Sequence, residues 1–102
     1  MLRVEKSSRF LHSYKIYEAK YVECITALDN VIMILASGHR LAPKYNDHAL
    51  CHGVWKSFRE CLIVEVSKNW LLIYRITRGI LYLADTGSHQ ELFGSTKYKI
   101  DN

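Results

Sequence analysis

The chain has 102 residues, with Lys+Arg 14 against Asp+Glu 10 and a formal net charge of +4. Its 49% hydrophobic and 24% charged residues fit one globular domain over 1–102, and they exclude a disordered chain, a collagen-like chain and a coiled coil. No apolar run approaches the roughly 20 residues of a membrane span. The charged start of the chain, 1–9, lacks the apolar stretch of a signal peptide. The expected location is therefore cytoplasmic, with no membrane partner. Cys24, Cys51 and Cys61 are odd in number and form no CxxC. They read as reduced thiols, with Cys24 and Cys61 acting as small buried hydrophobes. A pI near 9.0 permits RNA, DNA or an acidic protein as partner and does not choose among them.

In chain order, residues 2–5 predict a short first strand. Ser7 or Ser8 then offers a hydroxyl to cap a helix. Phe10, Tyr14 and Tyr17 recur at helical spacing over 9–19. Ile25, Leu28, Ile32 and Leu35 form the apolar stripe of a second helix over 22–37, and Gly38 stands where a C-terminal cap is expected. Residues 39–53 read as a long loop that holds Pro43 and the polar cluster Asn46-Asp47-His48. Residues 54–66, 70–77 and 80–86 are rich in β-branched and aromatic side chains. Ser67-Lys68-Asn69 and Arg78-Gly79 separate them as turns. The residues after Phe93, 94–102, are polar and are expected to fray. The expected fold class is α+β in two layers: an N-terminal strand, a two-helix hairpin and an antiparallel β-meander.

Three places carry candidate chemistry: Asp47-His48 in the long loop, Trp55-Lys56-Ser57-Phe58-Arg59-Glu60, and Thr86-Gly87-Ser88-His89 after the last strand. Regular alternation from Trp55 to Glu60 would put Lys56 and Phe58 on one face and Arg59 on the other. Arg59 has Glu60 or another carboxylate as a prospective ion-pair partner. Two loop histidines near Lys and Arg suit acid–base work on a phosphodiester. One imidazole takes a proton from a 2′-hydroxyl, the other protonates the leaving 5′-oxygen, and cations meet the charge on phosphorus. The five histidines show no HxH or HExxH spacing, so neither metal nor other cofactor is expected.

Pro43-Lys44-Tyr45-Asn46-Asp47-His48-Ala49-Leu50, Gly53-Val54-Trp55-Lys56-Ser57-Phe58-Arg59-Glu60-Cys61, Trp70-Leu71-Leu72-Ile73-Tyr74-Arg75-Ile76 and Thr86-Gly87-Ser88-His89-Gln90-Glu91-Leu92-Phe93 together resemble the YafQ branch of the RelE toxins. The resemblance covers about 36–93 in motif order and spacing, and 1–35 in pattern. It implies a RelE-like fold and a type II toxin–antitoxin mRNA interferase. Cleavage of mRNA in the ribosomal A site would need no metal and leave a 2′,3′-cyclic phosphate and a 5′-hydroxyl. It also implies a DinJ- or RelB-like antitoxin, through which alone operator DNA would be contacted.

The resemblance further implies roles for single residues. His89 matches the histidine of T-G-x-H and takes the main acid–base role; His48 matches that of D-H-x-L and takes the second. Arg59 and Lys56 are matched to phosphate contact or transition-state charge. Phe93 is matched to the aromatic that orients a base. Asn69 and Trp70 stand at the start of the next strand and complete the expected substrate contacts, with Trp70 read as mostly structural. The family's histidine after R-E-C is Leu62 here, its acid before the tryptophan is Asn69, and its arginine before T-G-x-H is Asp85. The hairpin is longer, and Cys51-His52 adds a residue that brings a further imidazole. Leu and Asn cannot exchange protons, so a slower enzyme is expected, and a catalytically silent antitoxin-binding protein is the alternative. A ParE-like toxin directed at gyrase shares only the fold class. Asp85 either repels phosphate or orients His89.

Overall fold

The computed structural model describes residues 1–63 and 69–93. Its elements are β1 (Arg3–Lys6), α1 (Ser8–Lys20), α2 (Val22–Ala36), β2 (His48–Ala49), β3 (Arg59–Leu62), β4 (Trp70–Thr77), β5 (Ile80–Ser88) and α3 (His89–Leu92). The five strands form one sheet in the order β1-β5-β4-β3-β2. β1 runs parallel to β5, and the other pairings are antiparallel. The expected α+β architecture, with its helical hairpin and meander, is present.

Local chemistry sets the helix ends. The Ser7 hydroxyl oxygen accepts the Phe10 N–H at 2.9 Å, satisfying a donor that the first turn leaves open. The same hydroxyl donates to the Ala84 carbonyl and ties the start of α1 to β5. At the end of α2, the Gly38 N–H donates to the Leu35 carbonyl at 3.0 Å and the His39 N–H to Ile34 at 3.2 Å. This paired closure is a Schellman motif.

The core lies between the helix pair and one face of the sheet. Phe10, Leu28, Val31 and Leu35 pack there against Cys61, Ile63, Leu72, Tyr74, Leu81 and Leu83. A second cluster covers the opposite face and joins Trp55 and Leu92 to Leu71, Ile73 and Ala84. β4 is buried on both faces from Trp70 to Tyr74, as its unbroken apolar run requires. Arg78 and Gly79, at φ 50° and 77°, turn β4 into β5. Positive φ at both central positions matches the right-handed twist of the strands, and glycine adopts it without strain.

Two expectations need correction. The segment 39–53 is not structureless: Pro43–Tyr45 is a 3-10 turn and His48–Ala49 pairs with β3 as an edge strand. The strand expected over 54–66 begins only at Arg59. Gly53 and Ser57 have φ of 72° and 81°, which breaks the extended chain and tucks Trp55 into the second cluster as part of a 3-10 turn. Lys56 and Phe58 therefore do not alternate along a strand. The ends of the expected strand and hairpin, 64–68, and the expected polar tail, 94–102, lie outside the described residues.

Phe10 is fully buried between α1 and the sheet. Phe10→Ala is expected to lower stability by about 3–5 kcal/mol. In urea this should appear as a lower midpoint with an unchanged slope.

Candidate active site

β-strand alternation decides which side chains meet. In β3, Cys61 and Ile63 face the helices, so Arg59 shares their side and Glu60 faces the second cluster with Leu62. His48 stands directly opposite Glu60 in the β2–β3 register. Its Nε2 lies 3.3 Å from Glu60 Oε1. Its Nδ1 lies 2.7 Å from the Asn46 carbonyl oxygen. A carbonyl only accepts, so Nδ1 carries the proton and Nε2 is the nitrogen turned toward the carboxylate. Asn46 reaches this position in the left-handed region, at φ 47°. The Glu60 side chain is only 12% exposed. Burial raises its carboxyl above the usual carboxylate range, and the positive charge of His48 and His89 pulls the other way. Glu60 thus has the His48 imidazole beside it and lies within the electrostatic reach of His89.

His89 opens α3, a helix too short to stand on packing alone. The Ser88 hydroxyl oxygen accepts the Glu91 N–H at 3.2 Å, and Glu91 Oε1 accepts the Ser88 N–H at 2.9 Å. This reciprocal capping box fixes the first turn. The Tyr17 phenol binds the Glu91 carboxylate from α1. Burial raises the Glu91 carboxyl, but the bonds from Tyr17 and Ser88 outweigh it and leave the net shift downward. The His89 N–H donates to the Asn69 carbonyl at 2.6 Å. One turn on, the Phe93 ring lies 5.2 Å from the His89 ring. Gly87 makes room for this assembly. A Cβ there would stand 3.2 Å from the Tyr17 hydroxyl and 3.3 Å from Glu91 Oε1.

The structure brings His48, His89 and Phe93 to one sheet face, with Glu60 as the member the sequence reading missed. The signal was present in Arg59-Glu60: adjacent strand residues must point to opposite faces. Arg59 does not join the histidines. Its Nε donates to Asp47 Oδ1 at 3.2 Å, and the Tyr74 hydroxyl donates to the same oxygen at 2.6 Å. Arg59 lines a cleft on the helix side with Leu35, Arg40 and Ile76. Its ion-pair partner is Asp47, not Glu60.

Trp70, read from the sequence as mostly structural, sits in the core. It is buried under the helices, with its ring 4.4 Å from Tyr17 in an edge-on arrangement. Asn69 contributes its backbone carbonyl to His89. Lys56 is exposed at the end of the Gly53–Trp55 turn, and His52 is exposed at its start. Asp85 is buried and turned to α1, where it accepts from Ser13 at 2.8 Å and faces Arg9 at 3.3 Å. Burial raises its carboxyl, offset by Ser13, the Thr86 N–H and Arg9. Its described partners do not include His89. Leu62 packs into the second cluster and supplies no proton-transfer group.

A family model described as "Bacterial toxin of type II toxin-antitoxin system, YafQ" matches residues 2–94. The chain belongs to the YafQ toxin family. The mRNA interferase toxin YafQ of Escherichia coli K12 is 28% identical over 91 residues, covering 89% of this chain and 95% of that protein. YafQ in the E. coli DinJ–YafQ complex superposes with a TM-score of 0.79 at 27% identity, covering 92% of this chain and 100% of that one. A copper-bound mutant toxin from Helicobacter pylori superposes with a TM-score of 0.75 at 34% identity, covering 91% and 100%. In this YafQ-family chain the His48–Glu60 pair stands on the sheet face away from the helix pair.

Gly87 sits at φ 157°, a backbone conformation L side chains rarely adopt, beneath two polar side-chain atoms. Gly87→Ala is expected to cost about 1–3 kcal/mol. Thermal unfolding should show it, with a loss of cleavage at temperatures where the variant is still folded because α3 is displaced.

Proposed function

We propose that this chain is a type II toxin that cuts mRNA on the ribosome, with the second sheet face as its active site. The observation that carries the reading is a buried carboxylate, Glu60, set beside His48 and close enough to His89 to feel its charge. Two imidazoles on one face can serve both ends of a phosphodiester transesterification.

In the proposed reaction the 2′-oxygen attacks the adjacent phosphorus as the bond from phosphorus to the 5′-oxygen breaks. His89 takes the 2′-proton, and its position is set by the capping box and Asn69. His48 gives the proton to the departing 5′-oxygen. Its Nδ1–H is held by Asn46, and Glu60 stabilises the imidazolium that the acid must be. The products are a 2′,3′-cyclic phosphate and a 5′-hydroxyl. Phe93, beside His89, orients the base on one side of the cut. Lys56, exposed nearby in sequence, adds positive potential. Arg59 is assigned to holding Asp47 and Tyr74. No residue is assigned to metal.

The protein partner is an antitoxin of the DinJ class, the class found with the E. coli relative; operator DNA is reached through it. An mRNA substrate places the action in the cytoplasm. Among the described residues no helix is long and apolar enough to cross a membrane. Leu62 in the apolar cluster and Asp85 turned to α1 point to a slower enzyme than a site with an additional proton-transfer group.

The test is a pair of histidine variants assayed for cleavage on programmed ribosomes. His89→Ala and His48→Ala should each lose about 10²–10⁴-fold in rate. An mRNA with sulfur in place of the leaving 5′-oxygen needs no proton on that atom. It should rescue His48→Ala and not His89→Ala. Rescue of neither, with both variants folded, would overturn the assignment. Full rates from both would overturn it as well, and no cutting by folded, antitoxin-free wild type would favour the silent antitoxin-binding protein.

Glu60 adds a pH signature. Its carboxyl titrates above the ordinary 4.5, so activity should fall as pH drops through that raised value and the imidazolium loses its partner. The folded chain holds this proton to higher pH than the unfolded one, so stability falls as pH rises through the same window. Glu60→Gln should abolish both trends and lower the rate near neutral pH. Rate–pH profiles and urea midpoints at matched pH would check them.

A further inference from the structure

We propose that Arg75, laid on the ring of Phe58, binds the RNA phosphate next to the one being cut. The inference rests on the cleavage reading above and supplies a guanidinium on the face of that site. Arg59 is on the other face, held by Asp47. Arg9 reaches the second cluster over Trp55 but faces the buried Asp85 carboxylate. Arg75 is exposed, and among the described residues no carboxylate pairs with it.

Alternation in β4 puts Ile73 and Arg75 on the second face, with Tyr74 between them facing the helices. Ile73 is the register partner of Glu60. Phe58 precedes Glu60 by two residues and Arg75 follows Ile73 by two. The Phe58–Arg75 pair is therefore one pleat from the Glu60 row, about 7 Å along the strands. An RNA with its reacting phosphate at His48 and His89 meets Arg75 at the neighbouring linkage.

The arginine is prepared for this contact. Its Cζ lies 4.7 Å from the Phe58 ring centroid. Phe58 is itself fixed by Trp55, edge-on at 5.7 Å, and by Tyr82 at 6.3 Å. Tyr82 is the register partner of Arg75. A guanidinium stacked on a ring keeps its in-plane N–H groups available, and these match two phosphate oxygens. Lysine carries the charge without the fork and does not stack in the same way.

The experiment uses ribosomes programmed with an mRNA whose scissile nucleotide carries a 2′-methoxy group, so that it binds and is not cut. Neutral methylphosphonate linkages are placed singly on each side of the scissile phosphate. Wild type should bind one of the two modified complexes about 10-fold or more weakly than the native one. Arg75→Ala should bind the native complex that weakly and be indifferent to the modification. Arg75→Lys should recover part of the affinity. Arg40→Ala, on the helix-side cleft, should keep the wild-type response. If Arg75→Ala keeps the wild-type response, or neither linkage matters to wild type, the subsite is overturned. Cutting of an unmodified mRNA is read in parallel. Binding that depends on Arg75 without cutting would sink the cleavage reading and leave the phosphate contact standing. No binding by wild type to programmed ribosomes would sink both.

Discussion

The fold depends on the burial of β4 on both of its faces. Trp70, Leu72 and Tyr74 meet the helix pair, while Leu71 and Ile73 meet the cluster built by Trp55 and Leu92. Each of these large side chains contributes about 1.5–3 kcal/mol when removed from water. A strand that is apolar on both sides needs cover on both sides. The α1–α2 hairpin covers one face. Among the described residues, the other is covered by the turn around Trp55 and by the four residues of α3. His48 and His89 stay at the surface there, and the Glu60 carboxylate lies nearly buried beside His48.

The sheet also separates charge. Arg59 and Glu60 are neighbours in the chain, yet each finds its partner on a different face. Asp47 meets Arg59 and Tyr74 on the helix side, and His48, one residue later, meets Glu60 on the other. The start of β2 and the residue before it thus send a carboxylate and an imidazole to opposite faces from successive positions. Asp85 shows the same economy of placement. Set beside a bulge where Ala84 has no partner in β4, its side chain turns to Arg9 and Ser13 and closes α1 onto β5.

Much of the fold was legible in the sequence because the elements are long and regular. The stripe from Ile25 to Leu35 and the run Trp70–Thr77 identify a helix and a strand by spacing alone. The site was legible only in part. His48 and His89 stand out by residue type, but their placement depends on the β2–β3 register and on α3. Four residues are too few for periodicity, so α3 is marked only by the Ser88–Glu91 pair. β3 starts late because of Gly53 and Ser57, whose positive φ no pattern of hydrophobicity reports. The direction of Trp70 was hidden by the property that makes β4 recognisable. With both faces apolar, parity along the strand does not say which face holds the site.

The central claim is that the second sheet face, not the helix side, carries the chemistry, and Arg59 and Glu60 divide the two. The most direct measurement maps RNA 5′ ends on translating ribosomes with antitoxin-free wild type, Arg59→Gln and Glu60→Gln at equal folded fractions. The account predicts codon-registered cuts with wild type and Arg59→Gln that fade with Glu60→Gln. Cuts that persist with Glu60→Gln and vanish with Arg59→Gln would contradict it.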